Sequence, residues 1–235
     1  MNIIVTGASR GIGYSIVKNF AKAGHKVLAI SRNEEKLELL ADECNSSSSN
    51  GVIPMPFDLD KIDIGKKIFI SNIKKNFNHL DILINNAGYL KSQLFENTDT
   101  ETIRRSWSIN FKAPILLIQL LLPFLKKSHH AHIINIGSMG GVQGSVKFPG
   151  LSIYSSSKAA LATLTECLAE EYKDQKMAFN YLALGAVQTE MLQEAFPEYR
   201  APLSANEMAE FIVHFSLHGY NYFNGKILPV SMSTP

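Results

Sequence analysis

Short apolar runs alternate with longer helical stretches along the whole chain, and this alternation constrains the fold more than any other feature. Most of the runs are continuously apolar, as expected of strands whose two faces are both covered. The predicted strands span residues 2–6, 26–31, 52–55, 81–85, 132–137, 178–184 and 226–230. The predicted helices span residues 11–23, 34–44, 62–77, 107–127, 155–173 and 205–217. This order predicts one α/β domain over residues 1–235, a doubly wound seven-stranded parallel sheet with helices on both faces.

Local signals refine the limits of these elements. Gly24 follows the first helix, where a glycine often ends a helix. Ser204, with Glu207 three residues later, predicts a capping box for the last helix. Pro54 and Pro56 cannot donate to a strand ladder, so they place the third strand at an edge of the sheet. The run NSSSSN over residues 45–50 predicts a polar connector within the domain.

A glycine-rich turn, TGASRGIG, joins the first strand to the first helix. Gly7, Gly11 and Gly13 allow a tight turn whose backbone N–H groups approach a pyrophosphate closely. The N-terminus of the following helix then faces the anion. A glycine-rich turn without a ligand is the alternative, because such a triplet alone is a weak signal.

The stretch YSSSK places Tyr154 four residues before Lys158, so both side chains lie on one face of a helix. A nearby ammonium favours the phenolate and is expected to lower a pKa that is ordinarily about 10. Tyr154 would then exchange protons near neutral pH. Chance spacing on an exposed helix is the alternative.

Six segments, in order, resemble the short-chain dehydrogenase/reductase family. They are TGASRGIG, NNAG at 85–88, Asn110, Ser138, the pair Tyr154 and Lys158, and LGAVQTEM at 184–191. The resemblance covers essentially the whole chain. It implies a Rossmann fold and an NADP-preferring carbonyl reductase similar to 3-oxoacyl thioester reductases, which interconverts a carbonyl and a secondary alcohol.

The resemblance also implies the roles of individual residues. Ser138 would polarise the substrate oxygen, Tyr154 would exchange a proton with it, and Lys158 would hold the nicotinamide ribose and depress the tyrosine pKa. Asn110 completes the implied catalytic set, and no metal is implied. The implied cofactor-binding residues are Gly7, Ser9, Arg10, Gly11, Ile12, Gly13, Arg32, Asp58, Leu59, Asn86, Ala87, Gly88, Tyr154, Lys158, Gly185, Val187 and Thr189. In the NNAG turn, the alternative for Asn85 and Asn86 is that they tie neighbouring strands together.

Pro114 lies four residues after Asn110 inside a predicted helix. Because proline has no N–H, the Asn110 carbonyl loses its usual partner. We expect a bent helix, with the Asn110 carbonyl bound to a water near Lys158 as the family implies. A bend that serves packing alone is the alternative.

The second strand ends without the acidic residue that NAD-preferring enzymes use for the ribose 2′-hydroxyl. Arg32 follows it directly, and Arg10 in the glycine turn can point to the same place. A guanidinium matches a phosphate with two parallel hydrogen bonds. The sequence therefore predicts NADPH over NADH, although Glu34 and Glu35 lie close enough to weaken the preference.

The chain departs from the family pattern around the expected substrate pocket. Leu184 replaces the usual proline, GGVQGSVKFPG forms a small insertion after Met139, the lid before Ser204 is short, and SMSTP ends the chain without a glycine pair. The side chains at the predicted rim indicate an apolar pocket, with ordinary loop packing as the alternative. They are Phe148, Met191, Leu192 and Phe196.

Composition excludes several other classes. With 23 basic and 21 acidic residues the net charge is +2, which indicates neither a nucleic-acid nor a membrane partner. The two cysteines lack metal-site spacing. No basic leader is visible, and the apolar run 113–125 is too short to span a membrane, so we expect a cytoplasmic protein.

The family implies a small-molecule carbonyl or alcohol substrate and a homodimer or homotetramer. An extended-type epimerase or dehydratase and a catalytically silent dinucleotide-binding regulator are the alternatives.

Overall fold

A seven-stranded parallel sheet forms the centre of the protein in a computed structural model, which describes residues 1–46 and 51–232. Its strands are β1 (Asn2–Thr6), β2 (Lys26–Ser31), β3 (Val52–Pro56), β4 (Ile82–Asn85), β5 (Ala131–Ser138), β6 (Met177–Leu184) and β9 (Lys226–Val230). They lie in the order β3-β2-β1-β4-β5-β6-β9. This confirms the predicted doubly wound sheet, and β3, which carries the two prolines, is at its edge. A separate two-stranded pair joins β7 (Val187–Gln188) to β8 (Leu203–Ser204).

Within residues 1–46 and 51–232, eight α-helices connect the strands. They are α1 (Gly11–Lys22), α2 (Glu34–Asn45), α3 (Ile62–Asn76), α4 (Thr100–Trp107), α5 (Ala113–Leu125), α6 (Ser152–Glu171), α7 (Glu190–Ala195) and α8 (Ala205–His218). Helices α1, α2 and α8 bury apolar side chains in one core cluster with the sheet. Helices α3 and α5 do so in a second cluster. Helices therefore cover both faces, and the continuously apolar strands follow from burial on both sides.

Several element limits differ from the sequence prediction. The helix expected over 155–173 begins three residues earlier, at Ser152, so Tyr154 lies in its first turn. Its N-cap is Leu151, whose side chain gives no capping signal. The helix expected to begin at residue 107 begins at Thr100, where Asp99 caps it by accepting a hydrogen bond from the Thr102 N–H at 2.6 Å. The capping box of Ser204 and Glu207 is present as predicted, and Gly24 follows α1 with a φ of 79°.

The predicted irregularity at Asn110 is a π turn, Ser108–Lys112, between α4 and α5. Pro114 offers no N–H to the Asn110 carbonyl, so the regular helical ladder cannot continue there. Such turns occur frequently at functional sites. A water bound to this carbonyl near Lys158 stays a prediction.

The continuous helical run Thr100–Leu125 is longer than the apolar segment recognised in the sequence. By length and composition alone it is long and apolar enough to cross a membrane. In the fold, 56% of its most apolar window is buried, which is typical of a core helix.

Most of the predicted polar connector 45–50 and the last three residues of the chain lie outside the described residues.

Candidate active site

The carboxyl ends of the parallel strands open on one large cleft with a cavity volume of about 840 Å³. The cleft lies where the strand order reverses, with β1 between β2 and β4. In open α/β sheets this switch point is where ligands bind. The fold thus brings together residues that are far apart in the sequence.

Almost all of the predicted site residues line this cleft. They are Gly7, Ser9, Arg10, Gly11, Ile12, Arg32, Asp58, Leu59, Asn86, Ala87, Gly88, Ser138, Tyr154, Lys158, Gly185, Val187 and Thr189. Two predicted residues, Gly13 and Asn110, lie behind the wall instead. Lys36 in the first turn of α2 also lines the cleft, and no sequence motif predicted it.

The glycine turn has the shape of an anion cradle. Gly7 and Gly11 have φ values of 68° and 57°, a left-handed conformation that favours glycine. A Cβ on Gly13 would lie 2.3 Å from the Gly7 carbonyl oxygen and 2.5 Å from Asn86 Nδ2. Gly13 therefore lets α1 approach the turn, and the N-terminus of α1 faces the cleft. This arrangement fits the pyrophosphate of a dinucleotide.

Thr6 joins the glycine turn to the NNAG turn. Its hydroxyl oxygen accepts hydrogen bonds from the Asn86 and Ala87 N–H groups, both at 3.0 Å. Asn86 Nδ2 donates to the Thr6 carbonyl at 2.9 Å. Asn85 instead donates to Asn135 Oδ1 on the neighbouring strand at 2.8 Å. The alternative of tying strands together thus holds for Asn85, whereas Asn86 lines the cleft.

Ser138, Tyr154 and Lys158 converge on one part of the cleft wall. Ser138 ends β5, and its hydroxyl is hydrogen-bonded to the half-buried Tyr154 phenol at the start of α6. Lys158 is only 4% exposed. Its ammonium donates to the Ile136 carbonyl at 2.8 Å and lies 5.9 Å from the centre of the Tyr154 ring. A proton donor and a buried positive charge therefore face the same space.

The pKa values of this pair differ from the sequence expectation. Burial raises the pKa of Tyr154 to about 12, and the hydrogen bond with Ser138 lowers that pKa only in part. Burial also lowers the pKa of Lys158 to about 8. The expected lowering of the Tyr154 pKa below its usual value is thus wrong. At neutral pH Tyr154 is a protonated phenol and Lys158 an ammonium, which suits proton donation.

This pKa gives a testable pH dependence. Burial disfavours the charged form of Lys158, so the ammonium is present below about pH 8 and is lost above it. We expect kcat/KM for NADPH, which reports groups of the free enzyme, to be level below about pH 7.5. Above pH 8 it should fall by up to about tenfold per unit. Lys158→Arg keeps the charge and should remove this fall. A wild-type kcat/KM that stays level up to about pH 9.5 would show that the charge of Lys158 is not needed.

Asn110 supports the wall from behind. Its side chain is fully buried. Asn110 Nδ2 donates to the Tyr89 carbonyl at 2.9 Å and to Ser157 Oγ at 3.0 Å. Asn110 Oδ1 accepts from the Tyr89 N–H at 2.7 Å. Ser157 in turn donates to the Tyr154 carbonyl at 2.7 Å. Asn110 therefore holds the segment after β4 against the start of α6. Ser157, which no sequence signal within YSSSK distinguishes, thus links Asn110 to Tyr154.

Positive charges line the other end of the cleft. Arg32 and Lys36 are exposed where β2 passes into α2. Arg10 points to Glu194 of α7, with Nη1 2.6 Å from Oε1. Glu34 and Glu35, which were expected to weaken the charge, are not among the residues of the cleft wall. Three cationic side chains, Arg10, Arg32 and Lys36, therefore line the cleft here, and Arg10 is paired with Glu194.

The insertion and α7 form the opposite rim. Phe148 from the insertion and Phe196 after α7 pack with ring centres 6.4 Å apart at 62°. Leu151, Met191, Leu192 and Tyr199 also line the cleft here. Both sequence alternatives for these side chains therefore apply. The two rings pack against each other, and they also line an apolar part of the cleft.

Comparisons with known proteins agree with this geometry. The family model described as short chain dehydrogenase matches residues 1–200. A fatty acyl-CoA reductase from Acinetobacter baylyi is 32% identical over 214 residues, which cover 90% of this chain and 71% of that protein. An oxidoreductase from Staphylococcus epidermidis is 28% identical over 90% of this chain and 88% of its own length.

Solved structures are similar over almost the whole length. A short chain dehydrogenase structure from Shigella flexneri, complexed with NADP, has a TM-score of 0.89 and 27% identity over 97% of this chain and 95% of that one. A short chain dehydrogenase structure from Escherichia coli, complexed with NADPH, gives the same values. The neighbours thus hold a dinucleotide on a fold with the same arrangement of elements.

Proposed function

The chain belongs to the short-chain dehydrogenase family, and from this premise we propose that it reduces apolar, uncharged carbonyl compounds with NADPH. The general type of reaction follows from the family and its relatives. The protein is an NAD(P)-dependent oxidoreductase that interconverts a carbonyl and an alcohol. The extended-type epimerase or dehydratase and the silent regulator are not favoured. Ser138, Tyr154 and Lys158 are all present and converge on the cleft.

The proposed reaction divides the work between cofactor and chain. The bound nicotinamide dinucleotide supplies a hydride for the carbonyl carbon. The Ser138 hydroxyl orients the carbonyl oxygen, and Tyr154 transfers its phenolic proton to that oxygen, so that the product is an alcohol. The Lys158 ammonium stabilises the phenolate that remains and is placed to hold the nicotinamide ribose. The protonated state of Tyr154 at neutral pH supports the direction of reduction.

The observation that carries the substrate class is the absence of charge on the substrate side of the cleft. Around Ser138 and Tyr154, residues 89–90, 139–151 and 191–199 contribute only uncharged side chains to the wall, within the described part of the chain. The charged Glu190 lies beside Gly11, on the cofactor side. A charged substrate would lose hydration there without gaining a partner.

A matched pair of ketones tests this class. We expect NADPH oxidation with acetophenone to exceed that with 4-acetylbenzoate by at least about tenfold in kcat/KM, because only the carboxylate must be desolvated. Aldehydes, quinones and 3-oxoacyl thioesters complete the panel. The fluorescence of bound NADPH serves as a control that the cofactor site is intact. Equal or better use of the charged ketone would refute the proposed substrate class.

Three further proposals accompany this function. We propose a homodimer or homotetramer, supported by the exposed apolar side chains of Ile103 and Trp107 on α4, 37% and 38% accessible. We also propose a cytoplasmic location, supported by the cysteine content: two cysteines in 235 residues do not indicate the disulfide framework of a secreted protein. We also propose a preference for NADPH over NADH, supported by Arg32 and Lys36 on the cleft wall.

A further inference from the structure

Tyr181 lies in the middle of β6 and belongs to none of the motifs that identify the family. It is fully buried, and it packs in a small cluster with Met139, Leu161 and Ala162 between the sheet and α6. Its hydroxyl meets two backbone groups of the active site. It accepts a hydrogen bond from the Ser138 N–H at 3.1 Å and donates one to the Lys158 carbonyl at 3.1 Å.

Gly137 makes room for this side chain. A Cβ at Gly137 would lie 1.7 Å from Tyr181 Cζ and 2.1 Å from its hydroxyl oxygen. The φ of Gly137 is not positive, so the backbone conformation itself does not require glycine. The strand that ends at Ser138 is thus shaped to receive the Tyr181 ring.

The two groups joined by this hydroxyl sit on different elements. Ser138 ends β5, whereas Lys158 is on α6, and the side chain of Lys158 returns to β5 by donating to the Ile136 carbonyl. The Tyr181 hydroxyl makes a second link between the same two elements at the level of the reacting groups. Burial raises the pKa of Tyr181 far above neutrality, so the hydroxyl keeps the proton that it donates.

We propose that Tyr181 is a positioning residue that fixes Ser138 relative to Tyr154 and Lys158 for proton transfer. The inference rests on the proposed function, because it assigns a role within that reaction. Small displacements of a reacting group lower the rate strongly, whereas the cofactor is held mainly by other parts of the cleft.

Tyr181→Phe tests this role because it removes only the hydroxyl and keeps the ring that fills the space beside Gly137. We expect kcat for carbonyl reduction to fall about tenfold, equivalent to about 1.4 kcal/mol of activation free energy. The KM for NADPH should stay within about twofold. The deuterium isotope effect on kcat, measured with NADPH deuterated at the transferred position, should rise or stay at its full value.

Thr165→Val is the matched control. The Thr165 hydroxyl is fully buried, accepts from Asn135 Nδ2 at 2.9 Å and donates to the Leu161 carbonyl at 2.8 Å. This hydroxyl on α6 is therefore also a buried hydrogen-bonded link to β5, but it lies about three helical turns from Tyr154. We expect both variants to lower the melting temperature and only Tyr181→Phe to lower kcat.

The outcomes separate this inference from the proposed function. A wild type that reduces no carbonyl with NADPH would overturn both. An active wild type with unchanged kcat in Tyr181→Phe would overturn the positioning role alone. An equal loss of kcat in Thr165→Val would also overturn it, because any weakened contact between β5 and α6 would then have the same effect.

Discussion

Replacing Tyr154 with phenylalanine is expected to reduce turnover by about 10² to 10⁴-fold, the range ordinarily contributed by general acid–base catalysis. The variant removes the transferable proton and keeps the aromatic ring that lines the cleft. NADPH binding, followed by fluorescence, should therefore stay close to that of the wild type. The loss should appear in kcat rather than in the KM for NADPH.

Tyr172→Phe provides the control for this change. Tyr172 follows the other end of α6, where its ring packs against Phe179 with centres 5.7 Å apart. Removing its hydroxyl should leave turnover unchanged, since it lies outside the cleft. If Tyr154→Phe retained turnover within about tenfold of the wild type, another group would have to supply the proton.

The second large effect concerns the choice of cofactor. We expect the wild type to use NADPH about a hundredfold more efficiently than NADH in kcat/KM. A charge-assisted hydrogen bond contributes about 1.5–3 kcal/mol, and exposure reduces the contribution of Arg32 and Lys36 toward the lower value. Arg32→Ala should lower kcat/KM for NADPH by about tenfold or more and leave that for NADH unchanged.

Two further variants sharpen this measurement. Lys22→Ala removes an exposed positive charge from the end of α1, outside the cleft, and should leave the cofactor ratio unchanged. Glu194→Gln removes the charge that Arg10 faces and should raise the preference for NADPH. A wild type with equal values for the two cofactors, or a ratio unaffected by Arg32→Ala, would show that the phosphate is not recognised here.

The sequence was sufficient for the fold because the strands are buried on both faces, which produces continuously apolar runs. It was also sufficient for the glycine turn, since Gly7 and Gly11 need a local backbone conformation that glycine favours. It failed at two helix starts, one without a capping residue and one whose cap, Asp99, was overlooked. Helix α6 begins after Leu151, which gives no capping signal, whereas α4 does follow a capping residue but has no apolar periodicity over its eight polar-rich residues.

The missed parts of the site depend on contacts between distant residues. Tyr181 reaches Ser138 across 43 positions, and no pattern within β6 distinguishes it from an ordinary core residue. The pKa of Tyr154 was predicted in the wrong direction because the motif shows the neighbouring Lys158 but not the burial that raises this pKa. Lys36 was missed because only the helix geometry brings it to the cleft beside Arg32.

Carbonyl reduction by this protein can be tested by following the transferred hydride itself. The protein is incubated with NADPH deuterated at the transferred position and an apolar ketone, and the alcohol is analysed by mass spectrometry. We expect one deuterium at the carbinol carbon of the wild-type product and a rate at least about a hundredfold lower with Tyr154→Phe. Oxidation of NADPH without deuterium in the product, or no reaction with any carbonyl of the panel, would contradict this expectation.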